Sequence, residues 1–392
     1  MQTVKIVIRG AFWDSQIYSG FLHLFMDDGS ISILNWENAI NSLIEDNQNL
    51  EIALRVAFLE SNFLYDRKTK YLLSNGEIKS VVDRQFTQLL QKSFEFKGVD
   101  DIRFNNKQQN NPLPFPHADS EMYYGRMYVG LKEGLFSSQR GESKNTGLDN
   151  QYQKHWDAPV LNLAGSNYYT SLALASGSDG LYELSIESKI SQPHNRISPK
   201  QLSEKPCNSC DWAYYSIYGS SNTSPAFLAC FEKSHKEKSN TSSNQITTAR
   251  SFQKIISSDD LFSNKGFSWG SHDKIYQYHD GVIDVKSYSP DKKKIFNNLG
   301  TIPLSQWKGD VISANVAPFG TVIECDNALV IALSDGKTMT IEGEPVRWRI
   351  FSRSKHYTNQ LHIIYEDRIE ILSFVHDYFV NQKDKLAGTR VD

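Results

Sequence analysis

MYVGLKEGLF (Met127 to Phe136) and SLALASGSDGLYEL (Ser171 to Leu184) share one plan. A short apolar strand runs into a turn closed by glycine, and a second strand opens on Leu and an aromatic residue. The plan returns in FLHLFMDDGSISIL (Phe21 to Leu34), FSWGSHDKIYQY (Phe267 to Tyr278), ALVIALSDGKTMTI (Ala328 to Ile341) and LHIIYEDRIEIL (Leu361 to Leu372). WAYYSIYGSSNTSPAFLACFE (Trp212 to Glu232) is a divergent seventh hairpin. The turns at Gly134, Gly180 and Asn222 lie about 46 and about 42 residues apart, and later intervals are about 51, 63 and 31. Hairpins of this kind have two apolar faces and cannot bury both alone, so each unit needs a neighbour on either side.

A spacing near 40 to 50 residues is the length of a four-stranded propeller blade. MYVGLKEGLF and ASGSDGLYEL resemble the strand, Gly, turn, Gly-Leu-aromatic repeat of bacterial regulator-type β-propellers, over about ten residues per unit and without the Trp-x-Gly-Thr lead. The Gly-His and Trp-Asp spacing of WD repeats is missing (Asp211-Trp212 runs in the reverse order), as is the double glycine of kelch repeats. The resemblance implies an all-β propeller of six or seven blades formed by residues 1 to 392 as a single domain, and it brings no active site with it. Seven Trp, 19 Tyr and 21 Phe suit such a fold, because wedge-shaped gaps between twisted sheets take large flat side chains. Val4, Ile6 and Ile8 alternate with Lys5, Val7 and Arg9, so Thr3 to Arg9 reads as a strand. It is expected to pair with the last blade, around 361 to 379, and close the ring.

The composition narrows the function classes. With 39% hydrophobic and 12% aromatic residues the chain has ample material for a core and is not a disordered chain. No apolar run approaches the 18 or so residues of a membrane span. A net charge of -3 argues against a general polyanion binder. The start, MQTVKIVIRG, lacks the continuous apolar core of a secretory signal, and four cysteines are few for a disulfide-stapled chain. These features lead us to expect a reduced, cytoplasmic protein.

Two stretches break the hairpin period. Ile40, Leu43 and Ile44, then Ile52, Val56 and Leu59, give helical spacing over 36 to 62. Phe86, Leu89, Leu90 and Phe94 do the same over 83 to 96, and Asn75-Gly76 is expected to turn a hairpin between the two helical stretches. The polar segments 104 to 121, 138 to 158, 188 to 210 and 233 to 250 are expected to be long mobile loops.

Few motifs carry chemistry. Gly266-Phe267-Ser268-Trp269-Gly270 spells the G-x-S-x-G of hydrolase nucleophile elbows, with His356, His362 and His376 downstream and Asp310, Asp326 and Asp335 between. An elbow needs a buried strand before the serine and a helix after it, whereas polar residues precede Ser268 and a second strand follows. Ser268 is thus a weak catalytic candidate, and the alternative is a blade hairpin with Trp269 packed between sheets. Cys207, Cys210, Cys230 and His235 form C-x2-C-x19-C-x4-H, the donor set of a structural zinc site. Inert buried thiols and a reversible Cys207–Cys210 disulfide are the alternatives. Lys292, Lys293 and Lys294, near Lys286 and Lys308, make the densest basic run; Lys233, Lys236 and Lys238 make a second. These runs could meet nucleic acid if they converged beside aromatics, and are otherwise a solvated surface. Ser334-Asp335-Gly336-Lys337-Thr338 comes nearest to the turn of propeller glycosidases but is out of register.

The reading that fits these features is a non-catalytic interaction subunit, scaffold or sensor in a larger assembly, with another protein as its partner and no required cofactor. The alternative is a propeller-type hydrolase with an axial or Ser268-centred site.

Overall fold

The computed structural model describes residues 2–64, 66–101, 107–141, 147–186, 198–233, 250–304, 309–375 and 385–389. The chain begins with β1 (Gln2–Arg9), β2 (Phe12–Tyr18), β3 (Phe21–Met26) and β4 (Ser30–Asn35). Helices α1 (Trp36–Glu45), α2 (Glu51–Phe58), α3 (Arg67–Leu72) and α4 (Gly76–Leu89) come next, and then β5 (Ser93–Phe96) and β6 (Lys107–Asn110). Strands dominate the remainder. They are β7 (Asp119–Tyr123), β8 (Arg126–Leu131), β9 (Gly134–Gln139) and β10 (Gln153–Trp156), followed by β11 (Asn162–Gly165), β12 (Ser171–Ala175), β13 (Leu181–Ser185) and β14 (Lys200–Ser203). A third set is β15 (Ser209–Ala213), β16 (Ser216–Ser220), β17 (Phe227–Lys233) and β18 (Arg250–Ser257). After it come β19 (Phe267–Ser271), β20 (Lys274–His279), β21 (Val282–Tyr288) and β22 (Phe296–Pro303). The last strands are β23 (Val311–Ala317), β24 (Gly320–Cys325), β25 (Ala328–Leu333), β26 (Thr338–Glu342), β27 (Arg347–Ile350), β28 (Gln360–Tyr365) and β29 (Arg368–Val375).

Seven sheets result, six of four strands and one of five. Their orders are β2-β3-β4-β6, β7-β8-β9-β10, β11-β12-β13-β14, β15-β16-β17-β18, β19-β20-β21-β22, β23-β24-β25-β26 and β27-β28-β29-β1-β5. The chain is an all-β, seven-bladed propeller, and each hairpin singled out in the sequence falls in a different blade.

The residues group into two compact units. The first holds residues 1–129, 136–153 and 309–392; the second holds 130–135 and 154–308. In the first, β1 lies antiparallel to β29 over eight residues, from Gln2 opposite Val375 to Arg9 opposite Arg368, so the N-terminal strand joins the last blade as expected. On its other side β1 takes β5 in parallel, Lys5 to Ile8 against Ser93 to Phe96. Val4, Ile6 and Ile8 are buried in a core with Trp36, Leu54, Phe58, Phe86, Ile369 and Ile371. Helix α2 is tied through its last carbonyls to the sheet and to α1: Ser373 Oγ donates to Ala57 O at 2.6 Å, and Gln360 Nε2 of β28 and Trp36 Nε1 of α1 both donate to Phe58 O at 2.9 Å.

Several expectations are corrected here. Asn75 does not turn a hairpin; its side chain caps α4 by accepting from the main-chain N–H groups of Glu77 and Ile78. The helix expected over 83 to 96 starts earlier and ends at Leu89, and residues 93 to 96 are strand β5, in which Phe94 and Phe96 alternate with exposed Ser93 and Glu95. Period two overrides the helical spacing there. Three of the stretches expected as loops contain strands: β6 and the start of β7 in 104 to 121, β10 in 138 to 158, and β14 in 188 to 210. The fourth lies outside the described residues over 234 to 249.

The glycines of the decisive hairpins have a steric origin. A Cβ on Gly180 would sit 2.0 Å from the Ser203 carbonyl oxygen, and one on Gly134 would sit 1.9 Å from that of Trp156. Gly134 opens the third strand of its blade and Gly180 immediately precedes that of its own, in each case where the fourth strand approaches, and the Leu after each is fully buried.

Candidate functional site

The first unit contains a dense buried charge cluster. Asp119 and Glu121 alternate along β7, as Arg347 and Arg349 do along β27, so each pair shares one face of its strand. Arg349 grips Asp14 with Nε to Oδ1 at 2.7 Å and Nη2 to Oδ2 at 2.6 Å, and reaches Asp119 Oδ1 with Nη1 at 2.5 Å. Asp14 Oδ2 also accepts from Ser120 Oγ at 2.7 Å and meets His117 Nε2 at 2.9 Å; Oδ1 accepts from the Ser15 N–H at 2.8 Å. Arg347 donates to the Ala118 carbonyl at 2.7 Å and stands 3.5 Å from Asp14, and Arg353 pairs with Glu121. Burial alone would raise the Asp14 pKa; the Arg349 and Arg347 guanidiniums and the His117 bond hold it well below the usual carboxylate range. His362 bonds Ser15 Oγ through Nδ1 at 3.0 Å, and burial pushes its pKa down to about 3. Perturbed groups of this kind mark function in many proteins, but here the carboxylate is saturated by internal donors. The cluster is an ionic clasp between β2, β7 and β27.

The second unit presents a different arrangement, at the hairpins joining the first and second strands of its three blades. Tyr168 stands between β11 and β12, Tyr214 between β15 and β16, and His272 between β19 and β20. Their rings converge, with centroids 6.0 Å apart for Tyr168 and Tyr214, 5.2 Å for Tyr214 and His272, and 6.4 Å for Tyr168 and His272. Interplanar angles of 45°, 73° and 82° make them a cluster packed edge to face rather than a stack. Tyr168 is 47% exposed. Tyr214 has φ +54° and His272 φ +56°, the left-handed region, which Asn, Asp and His enter far more readily than Tyr. The main-chain N–H of His272 donates to Trp212 O at 2.8 Å, which ties one tip to the neighbouring blade.

The same unit also holds a guanidinium among aromatic rings. The Arg250 Cζ lies 3.9 Å from the Phe231 centroid, 4.6 Å from that of Tyr169 and 4.9 Å from that of Trp212, with the Glu183 carboxylate and the Tyr215 carbonyl as its acceptors. Tyr215 in turn donates to Asp291 Oδ1 at 2.7 Å, and Lys233 pairs with Asp291 at 3.0 Å.

The residues singled out in the sequence are placed as follows. Ser268 is buried within β19, its Oγ accepts from Gln277 Nε2 at 3.1 Å, and the next element is β20, so the strand–elbow–helix context is missing. Trp269 stacks on Tyr276 at 5.5 Å and 9°, and a Cβ on Gly270 would meet the Tyr218 ring at 3.1 Å, which is blade packing. Cys207 and Cys210 belong to one apolar cluster with Trp212 and Phe231, whereas Cys230 belongs to another with Tyr218 and Leu228. Alternation along β17 thus turns Cys230 to the opposite sheet face; His235 lies outside the described residues. All four cysteines are free and buried, and burial pushes the Cys207 thiol up to about 12 and that of Cys230 up to about 11. Among the described residues no three His, Cys, Asp or Glu side chains group as a metal site. Lys292, Lys293 and Lys294 are exposed in the turn between β21 and β22. Lys236, Lys238 and Lys308 lie outside the described residues. Among the described residues no helix is long and apolar enough to cross a membrane.

Sequence reasoning missed both clusters. The clasp was written in the alternation of D-S-E at 119 to 121 and R-W-R at 347 to 349, and the aromatic cluster in aromatic residues at turns where Asn-Gly is the usual choice.

No protein-family profile matches the chain, and no curated protein matches it. Solved structures similar to it include the β-propeller domain of Cps50 (Swd1) from Myceliophteria thermophila, at 9% identity and TM-score 0.40, covering 66% of this chain and 97% of that one. A chain of a mitotic checkpoint complex aligns at 10% identity and TM-score 0.44, covering 70% and 83%.

Proposed function

We propose that this protein is a non-catalytic interaction subunit that scaffolds or senses within a larger assembly, and that it binds another polypeptide through the hairpin tips of its second unit. One observation carries the reading. Tyr214 and His272 hold aromatic side chains at left-handed turn positions, beside an exposed Tyr168. For a tyrosine such a position costs of order 1–3 kcal/mol; strained residues of this kind persist where the surrounding structure holds them, and they cluster at functional sites. Exposed aromatics at loop tips on a rigid scaffold are what protein recognition uses.

The test is the native mass of the protein. Gently lysed cells of the source organism should yield it in a particle larger than its 44.7 kDa chain, with a second polypeptide at fixed stoichiometry. A protein that runs as the free chain throughout would defeat the reading. A fluorophosphonate probe decides the hydrolase alternative. Labelling that Ser268→Ala abolishes would establish a nucleophile, whereas the buried Ser268 predicts no labelling and an unchanged complex in that variant.

A further inference from the structure

We propose that the β23–β24 turn is a peptide-binding site, filled in the free protein by the chain's own segment 385–389. A partner polypeptide presenting a small–glycine–threonine segment takes the site by displacing it. The site lies in the first unit and is independent of the hairpin tips of the second. Three observations support it.

The first is a covered turn. Pro318 and Phe319 join β23 to β24, and both are buried. Two-residue turns at the same position in two other blades of this unit are open: Ser19, between β2 and β3, and Tyr124, between β7 and β8, are exposed. Phe374 covers one side of the apolar turn, its ring stacked on that of Phe319 at 4.0 Å and 5°. The last described residues of the chain return to the same turn after β29 has ended at Val375.

The second is how that segment is seated. The Thr389 N–H donates to the Ala317 carbonyl oxygen at 3.1 Å. Gly388 has φ +88°, and a Cβ there would stand 2.7 Å from the Pro318 carbonyl oxygen, 3.1 Å from that of Ala317 and 3.3 Å from the Gly320 nitrogen. No side chain fits that gap, so the position requires glycine. Ala387 and Thr389, on either side of it, are buried. The turn thus recognises main chain at one residue without a side chain, and a small residue on each flank. Main-chain contact for affinity and side-chain size for selection is how extended peptides are read.

The third is that the hold is light. Both seated side chains are small, so they bury little apolar surface. A short segment outside any strand or helix, with so little burial, opens at low free energy. A tethered segment meets its site at an effective concentration on the order of 1 mM, which keeps even a weak site filled. A segment of the same chemistry on a partner that also touches this protein elsewhere has the same advantage and competes for the turn.

The test uses the full chain and a fluorescein-labelled peptide of the sequence KLAGTRVD, residues 385–392. Gly388→Val and Thr389→Pro in the full chain should each evict the segment, one by collision with Pro318 and the other by removing the N–H that Ala317 accepts. Fluorescence anisotropy should show saturable binding to both variants. The parent should bind the peptide about ten-fold or more weakly, because its own segment must leave first. The same peptide carrying Gly388→Val should bind none of the three, and both variants should melt within a few degrees of the parent. Equal affinity for parent and variants, no saturable binding to the variants, or equal binding of the valine peptide would overturn the proposal. So would a parent that never binds the peptide, or a melting temperature that collapses in both variants, since the segment would then be a structural staple rather than an exchangeable ligand. These readings do not depend on the native particle, so failure here leaves the interaction-subunit reading intact, and failure of that reading leaves this site standing.

Discussion

Arg349 holds the buried charge cluster of the first unit together. It bridges Asp14 and Asp119, and removing it leaves two buried carboxylates without their main counter-charge. Breaking a buried pair from one side costs ~3–5 kcal/mol, so Arg349→Met should lower stability to urea by about that much near neutral pH. The penalty should shrink in acid, because unpaired carboxyls then take up protons. The parent protein has its own pH signature. His23 and His362 are held neutral by burial, with folded pKa values of about 4 and about 3 against ~6.5 in the unfolded chain. The unfolded state therefore binds their protons first, and stability should fall as pH drops below ~6.5. Asp14 has a depressed folded value, so its contribution is intact until pH falls below its unfolded value of ~3.9 and is lost beneath that. Unfolding free energies measured from pH 7 to 3 should thus decline in two stages; a flat profile down to pH 4 would refute the neutral-histidine assignment. Tyr124 gives a test of opposite sign. It is 55% exposed at φ +48° before Gly125, so Tyr124→Asn writes the Asn-Gly pair that such turns favour. A gain of ~0.5–1 kcal/mol is expected; a loss would mean that the ring is structural.

The blade hairpins were legible in the sequence because their pattern is local. Alternating apolar residues around a glycine turn say strand, turn, strand before any tertiary contact forms, and all seven hairpins proved to be paired strands. Their uneven spacing has a simple cause: FSWGSHDKIYQY supplies the first two strands of its blade, SLALASGSDGLYEL the middle two and ALVIALSDGKTMTI the last two. Gly180 shows how tightly such a hairpin is specified. With φ +98° and a would-be Cβ 2.0 Å from Ser203 O, Gly180→Ala must either strain the turn or displace β14 from β13. A destabilisation of about 3 kcal/mol, with early hydrogen exchange confined to β13 and β14, is expected. Exchange unchanged in those strands would show that the blade absorbs the methyl group. What was illegible is long-range. SFEF at 93 to 96 becomes a strand because β1 offers it an edge, and Asp14 is matched by an arginine more than 300 positions along the chain. Helical spacing of Phe86, Leu89, Leu90 and Phe94 was real up to Leu89, and beyond it pairing with β1 outweighed propensity. Cys230 was read with Cys210 because a hairpin returns it to the same end, but the two thiols face opposite sides of the sheet.

A propeller chain is secured as a whole by the few residues that join its beginning to its end. Here that junction lies within the first unit. Strand β1 completes the last blade, and β5 then adds to its free side. Arg9 locks both sides, with Glu95 at 2.7 Å and Asp367 at 2.9 Å, and Lys5 reaches Glu370 at 3.3 Å. These exposed and half-exposed pairs fix register more than they add stability. The burial term is larger: Val4, Ile6 and Ile8 are almost fully inside the core shared with α2 and α4. At roughly 1.5–3 kcal/mol each, the three aliphatics supply free energy comparable with the net stability of a typical domain. Deleting residues 1 to 9 removes that burial, bares the edge of β29 and leaves β5 without its only partner among the described residues. An uncovered apolar edge is a template for pairing between chains. The truncated protein should therefore aggregate or lose cooperative unfolding, while Arg9→Ala, which removes only exposed ion pairs, should melt within a few degrees of the parent. A monomeric truncation with an unchanged melting temperature would show that the last blade is stable with three strands of its own, and that the N-terminal strand decorates this molecule rather than closing it.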